Sequence, residues 1–543
     1  MKNLLPGIAL LLLSKISFCQ QAYWQQQVNY DISVTLDTAA NTLDGSVKME
    51  YYNNSPDTLH FIWIHLWPNA YKNDRTAFSE QQLQIGNTGF YFSNSEERGY
   101  INRLNFTVDN ISAATTDHPQ HQDIVKLLLP HPLIPNGKIN IQTAFHVKLP
   151  KQFSRSGVVE NSYQITQWYP KPAVYDKKGW HEMPYLELGE FYSEFGNFTV
   201  DISAPEDLII AASGEKTRET ISNNIKTTTY TLNNTHDFAW FASKDFLVQQ
   251  DTLQLPSKLI NVFAYYYKKD EKIWQNSIRY IKRAILSKSG WLGEYPYNNV
   301  SVVAKKGSSD GGMEYPTITL VSTPENEKHL DFLINHEVGH NWFYAIIGSN
   351  ERAFPWMDEG MNTYYDNRYL DQYYNSNISY LNYQSTFLKK RFPDDFSALG
   401  IGTMAAIKKD QPIETSSGDF STINYGLMAY GKAGKWMKML EDKLGVGLFD
   451  KAMQEYYNKW KFKHPQPEDF KQSIEEASNS NLDAIFSLLH KKGSLDSYKP
   501  KKLKLTSFFN FKETDKYHYI SIMPALGFNQ YDKFMAGVLL HNY

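Results

Sequence analysis

Between about residues 22 and 247, apolar and polar side chains alternate in one short segment after another: YDISVTLD, SVKMEYY, KINIQTAFHVKLP, FTVDIS and TTTYTL, with Asn, Asp, Gly and Pro between them. A period of two sends successive side chains to opposite faces of a strand, so the pattern predicts a β-rich domain over 22–247. The period changes near Glu271, where Trp274, Ile278, Ile281 and Ile285 recur at helical spacing, and the short strand pattern NVSVV follows a Pro-Tyr turn at Pro296. Helical patterns dominate from about Lys328 to Leu489, including PEDFKQSIEEA, whose Pro467 suits a first helical turn. A second, mixed domain is therefore expected over 248–498, and no internal repeat is visible.

The remainder, 499–543, resembles neither domain. A Lys-rich stretch, PKKLKL, leads into YHYISIMPALGF and KFMAGVLLHNY, which alternate as strands do. Two readings stand: a small β extension packed on the catalytic domain, or the opening hairpin of an outer-membrane barrel, of which this stretch would be a fragment because even the smallest barrel needs about eight strands.

At the other end, Lys2 precedes an apolar run from Leu4 to Leu13 and a polar Gln20-Gln21, which reads as an export signal over 1–19. The run is too short to span a bilayer, and a buried strand or helix is the duller alternative. The expected location is periplasmic or extracellular, at the cell surface or free. The single cysteine, Cys19, falls at the expected cut, so disulfides are not expected to stabilise the mature protein; lipidation at Cys19 is disfavoured by bulky Phe18 before it. A length of 543 residues exceeds one ordinary core. Lys+Arg 55 against Asp+Glu 58 leaves a net charge of -3, which makes nucleic acid an unlikely partner. The 37 tyrosines suit β structure and stacking surfaces without deciding between them.

The chemistry concentrates in INHEVGHNWFYAIIGSNERAFPWMDEGMNTYYDNRYL, starting at Ile334. On a helix His336 and His340 are i and i+4, so both imidazoles leave one face and reach one metal ion, with Glu337 beside them. Two histidines on an amphipathic helix are often only polar surface. Glu359, separated from His340 by eighteen residues and opening a second helical pattern, sharpens the reading. Two histidines and a carboxylate form a catalytic zinc set that keeps one position for water, whereas a closed structural site needs a fourth protein ligand, usually a cysteine. One Zn²⁺ is the expected cofactor.

These residues resemble the gluzincin aminopeptidases, the family of alanyl aminopeptidases and leukotriene A hydrolase. HEVGHNWF and WMDEG match that family's HExxHxWF and WLNEG-like segments, and Gly311, Gly312, Met313, Glu314 and Tyr315 read GGMEY where the family has GxMEN, followed by PTITL as an edge-strand pattern. AYGKAGKWMKML offers Tyr430, with Tyr425 as the alternative, for the family's transition-state tyrosine. The resemblance spans about Tyr23 to Tyr498 and is densest between Gly311 and Glu359. It implies a multidomain α+β fold, with an N-terminal β-sandwich or saddle domain followed by a mostly helical thermolysin-like catalytic domain.

The implied activity is metal-dependent removal of N-terminal residues from peptides. His336, His340 and Glu359 would hold zinc and Glu337 would act as general base. Tyr430 would stabilise the developing oxyanion. Glu314 would stand away from the metal and bind the substrate ammonium, with Gly311, Gly312 and Met313 forming the same substrate-binding strand. Asp358 and Asn362 are candidates to orient a ligand histidine. Glu160 or Gln167 would supply the polar group that the family's β domain places near the amine. Endopeptidase or broader peptidase action, and a non-catalytic surface-binding protein on the same fold, are the alternatives.

Overall fold

The computed structural model describes residues 23–307, 311–374, 387, 390–393, 396–495, 500–514 and 516–542. The expected export segment 1–19 lies outside the described residues. The N-terminal half is built on a large sheet whose long strands include β1 (Gln27–Asp37), β2 (Thr42–Tyr52), β3 (Lys138–Lys148), β4 (Gly196–Pro205), β5 (Glu215–Ser222) and β6 (Ile225–Thr235), in the order β5-β6-β4-β1-β2-β3. All these neighbours are antiparallel except β1 and β4, which run parallel with Tyr30 opposite Phe198. The alternation in the sequence has its cause here: in β1, Val28, Tyr30, Ile32, Val34 and Leu36 all point into one apolar core, shared with Ile62, Ile64 and Trp168.

A second core belongs to the part with the helices. Its sheet consists of β7 (Phe246–Gln254), β8 (Leu259–Tyr267), β9 (Asn299–Ala304), β10 (Gly312–Tyr315) and β11 (Ile318–Val321), ordered β7-β8-β9-β11-β10. β8, β9 and β11 are mutually parallel neighbours, and β10 returns antiparallel. The edge expectation is thereby corrected: the PTITL segment forms the interior strand β11, because β10, carrying GMEY, takes the outer position and borders the helix that follows.

The helices that matter are α1 (Ser277–Trp291), α2 (Glu327–His340), α3 (Glu359–Tyr374), α4 (Ala433–Leu444), α5 (Val446–Trp460) and α6 (Pro467–Ser478). α2 begins where the Asn326 side chain accepts from the His329 amide, with Glu327 in the first turn, a favourable cap and dipole pairing. Leu330, Ile334 and Val338 seat it in the core, which leaves His336 and His340 on a different face. Six residues of π-helical backbone, Asn341–Ile346, follow it. α6 starts in a capping box between Gln466 and Asp469, with Pro467 at its first turn as its sequence predicts.

The last three strands, β12 (Lys502–Ser507), β13 (Tyr517–Asn529) and β14 (Lys533–His541), form a sheet of their own. Arg391 ties it to the rest through hydrogen bonds to the carbonyls of Ser507 (2.6 Å) and Phe509 (3.0 Å). Most of its large apolar side chains are exposed rather than packed on the catalytic part.

Candidate metal centre and active site

α2 and α3 meet so that three ligand atoms converge. The Nε2 atoms of His336 and His340 are 3.2 Å apart, and Oε2 of Glu359 lies 3.4 Å from the Nε2 of His340 and 3.7 Å from that of His336. Ligand atoms held 2.0–2.1 Å from a tetrahedral zinc are separated by about 3.3 Å, so this triangle has nearly the right edges. Its electrostatics agree. The Nδ1 of His336 faces Asp366 at 2.6 Å and that of His340 faces Asp358 at 2.6 Å. With both Nδ1 atoms so engaged, the facing Nε2 atoms need a shared cation between them. A proton can serve two of the three corners. Oε2 of Glu359 is buried without a hydrogen-bond partner, and a metal ion satisfies all three. Burial opposes the imidazolium form of both histidines, but the surrounding carboxylates outweigh it and hold their pKa values above the ordinary range. A metal ion binding here therefore displaces protons.

The supporting residues come largely from α3. Asp366 lies two turns beyond Glu359 on the same helix face; besides His336 it accepts from Asn335 at 2.7 Å and lies 3.8 Å from the buried ammonium of Lys288. Asn362 donates to the backbone carbonyl of His336 at 2.8 Å, and the same amide nitrogen lies 3.4 Å from the His336 Nδ1, beside Asp366. Sequence reasoning named Asp358 and missed Asp366, although the seven-residue step from Glu359 was a usable signal.

The triangle opens on a cavity of about 750 Å³ between the β domain and the catalytic part. Gly311, Gly312, Met313, Glu314, Glu337, Tyr425 and Tyr430 all line it. β10 runs so close to α2 that a Cβ on Gly312 would stand 2.3 Å from the Glu337 carboxyl carbon, so any side chain there must displace that carboxylate. Glu337 is buried, and desolvation pushes its pKa up against the pull of the two imidazoles. Tyr430 donates a hydrogen bond to Oε1 of Glu359 and stacks on His336, with ring centroids 6.1 Å apart. Tyr425 packs behind it against Phe420. Both tyrosines lie in π-helical backbone, Tyr425–Lys432.

Glu314 is not set apart from the metal site. Its carboxylate lies within 4.8 Å of ligand atoms of His340 and Asp358, and also of Glu190 and Glu351. Neither β-domain candidate reaches it. Glu160 is exposed and paired with Lys306 at 2.8 Å, while Gln167 is buried against Asp237. Both sit at positive φ, where the local backbone turns. The β domain supplies Glu190 instead, in the segment between strands, held by Arg155, whose Nε also contacts the sulfur of Met313 at 3.2 Å. Behind Glu190 and Glu314, both carboxylate oxygens of Glu351 are buried without hydrogen-bond partners. Burial, with Asp358 and Glu190 nearby, holds its pKa well above the usual carboxylate range.

Residues 282–488 match the peptidase family M1 domain. Among curated relatives, Aminopeptidase M1-B of Oryza sativa subsp. japonica is 22% identical over 301 residues, covering 52% of this chain and 32% of its own. The alanine/arginine aminopeptidase of Saccharomyces cerevisiae is 22% identical over 328 residues, 57% of this chain and 37% of its own. The chain thus spans about a third of the length of the curated relatives it matches. An M1 zinc metallopeptidase from Deinococcus radiodurans superposes with a TM-score of 0.60 at 15% identity, covering 87% of this chain and 96% of that one, and so has the same fold. A mutant of that protein has been solved with a Tyr-Ser-Ala substrate bound. The metal-ligand triangle lies within the segment that matches the peptidase family M1 domain, in a chain with the fold of that solved M1 zinc metallopeptidase.

Proposed function

We propose that this chain is an exported zinc aminopeptidase that removes N-terminal residues from peptides. The observation that carries the reading is the buried triangle of His336, His340 and Glu359, each histidine backed by its own carboxylate, at the wall of a cavity that also holds Glu337 and Glu314. Zinc bound by those three residues would supply Lewis acidity, polarising a carbonyl and acidifying water. The chain's own groups do the rest. Desolvated Glu337 is a stronger base than an exposed glutamate, so it takes the proton of the attacking water and returns it to the departing amine. Tyr430, whose hydroxyl already donates at the site, donates to the carbonyl oxygen as charge builds there, an effect typically worth about 3 kcal/mol.

Glu314 and Glu190 give the site its direction. An α-ammonium has three donors and no acceptor, and these two carboxylates, with Glu351 behind them, converge within 4.8 Å of one another. A free N-terminus seated there sets the first peptide bond beside Glu337. Export rests on Lys2 and the apolar run Leu4–Leu13. The test compares free and N-acetylated versions of one peptide with wild type and Glu314→Gln. Wild type should cleave only the free peptide, and the variant should lose at least tenfold in kcat/KM. Equal cleavage of both peptides by wild type overturns the N-terminal assignment.

A further inference from the structure

The C-terminal sheet has two chemically different faces. Residues opposite one another in a ladder share a face, and Ile522 lies opposite Leu540, Pro524 opposite Val538, Leu526 opposite Ala536 and Phe528 opposite Phe534. The parallel pairing of β12 adds Leu503 and Leu505 to the same side, since Leu505 lies opposite Ile520. The other side carries Lys502, Lys504, Thr506, Ser521, Ala525, Gly527 and Gly537, together with Tyr517, Tyr519, Met523, Met535 and Leu539. Of the exposed large apolar side chains in these three strands, eight fall on the first face and two on the second. Leu526, Phe528, Phe534 and Val538 are each at least 68% exposed.

A soluble sheet shows the reverse, with its polar face to water and its apolar face on a core. Here the mixed face is the more enclosed, with Tyr519 and Ser521 buried, while the apolar face stands open. The apolar row from Ile520 to Phe528 covers nine residues, roughly 30 Å of strand, and a tilted strand crosses a bilayer in about nine to eleven. Its centre is aliphatic. Aromatic groups gather at the hairpin end as Phe528, Tyr531 and Phe534, next to polar Asn529, Asp532 and Lys533, which is the order of side chains at a hydrocarbon-to-water boundary. Away from the hairpin the same face ends in His518, so polar groups bound the apolar row at both ends of β13.

We infer that the Leu526–Val538 face of the C-terminal sheet contacts the acyl chains of a lipid bilayer, with its mixed face turned away from lipid. In hydrocarbon the outer backbone edges of β12 and β14 must be paired, so on the membrane the sheets of several copies of this chain join edge to edge, with β13 and β14 in the wall of that assembly. This inference does not depend on the peptidase reading.

The experiment uses the full chain with Cys19→Ser, single cysteines at each position from 535 to 540, and an environment-sensitive fluorophore, mixed with vesicles of phosphatidylethanolamine and phosphatidylglycerol. The protein should float with the vesicles. Nitroxide on the acyl chains should quench the label at 536, 538 and 540 at least threefold more than at 535, 537 and 539. Val538→Asp should lower the floated fraction at least tenfold, and Met535→Asp should leave it within twofold. Failure of wild type to float overturns the inference, as does equal quenching at odd and even positions, or self-association that shields the even positions without lipid quenching.

Discussion

Asp358 offers a test in which two effects of one substitution oppose each other. Its carboxylate accepts from His340 at 2.6 Å, and both groups are buried. That bond keeps the proton on Nδ1 and leaves Nε2 for the metal. In Asp358→Asn the amide can instead donate to Nδ1, which moves the proton onto Nε2, where it competes with zinc. Losing such a supporting carboxylate typically costs 10- to 100-fold in metal affinity, about 1.4 to 2.7 kcal/mol. Without metal the sign differs. Asp358 crowds Glu351 and Glu359 and raises the pKa of each, so removing its charge relieves repulsion in the apoprotein. The expected outcome is therefore a zinc affinity lower by one to two decades, measured by competition with a chromophoric chelator, with an apoprotein melting temperature equal to or above wild type. Asp366→Asn should lose no more zinc affinity, because Lys288 and Asn335 also hold that carboxylate and it supports the more exposed histidine. An Asp358→Asn protein that binds zinc within twofold of wild type refutes the tautomer argument; one whose affinity and apoprotein stability fall together points to simple misfolding.

Three further outcomes are expected. Gly312→Ala should push the Glu337 carboxylate aside and lower kcat at least tenfold with zinc content unchanged by atomic absorption, and an unaltered kcat would mean that β10 yields more easily than its closeness to α2 implies. Tyr430→Phe should lower kcat about 100-fold, near 3 kcal/mol, and change KM less than threefold in steady-state assays; an equal loss in Tyr425→Phe alone would transfer the role to Tyr425. Burial holds the pKa of His236 at about 4, so as pH falls the unfolded chain takes up a proton near 6.5 before the folded one does. Stability should be full above that pH and decline toward pH 4, by roughly 2 kcal/mol at pH 5, and His236→Gln should remove that part of the slope in urea unfolding. Equal pH slopes for the two proteins would refute the assignment.

The convergence of His336, His340 and Glu359 was legible in the sequence because its geometry is local. His336 and His340 share a helix face through the repeat of α2, and the distance along the chain to Glu359 belongs to a short connection between two helices that pack together. The strands were legible for a similar reason, since burying one face of a sheet imposes alternation on the sequence. Asp366 was within reach of the same helical arithmetic. What the chain alone determined is thus whatever depends on periodicity within a single element.

Tertiary structure decided the rest. Glu190 enters the cavity from the β domain because Arg155 holds it there, across a domain boundary that no periodicity reports. Glu160 and Gln167 were plausible by position and are turned elsewhere by Lys306 and Asp237. The closeness of Gly312 to Glu337 depends on how an edge strand lies against a helix. In the C-terminal sheet, alternation announced strands, but only the register of β12, β13 and β14 showed that most of their exposed large apolar side chains fall on one face. Side-chain direction along an element follows from backbone geometry; which elements meet, and what lies across the gap, follows from the packing of the whole chain.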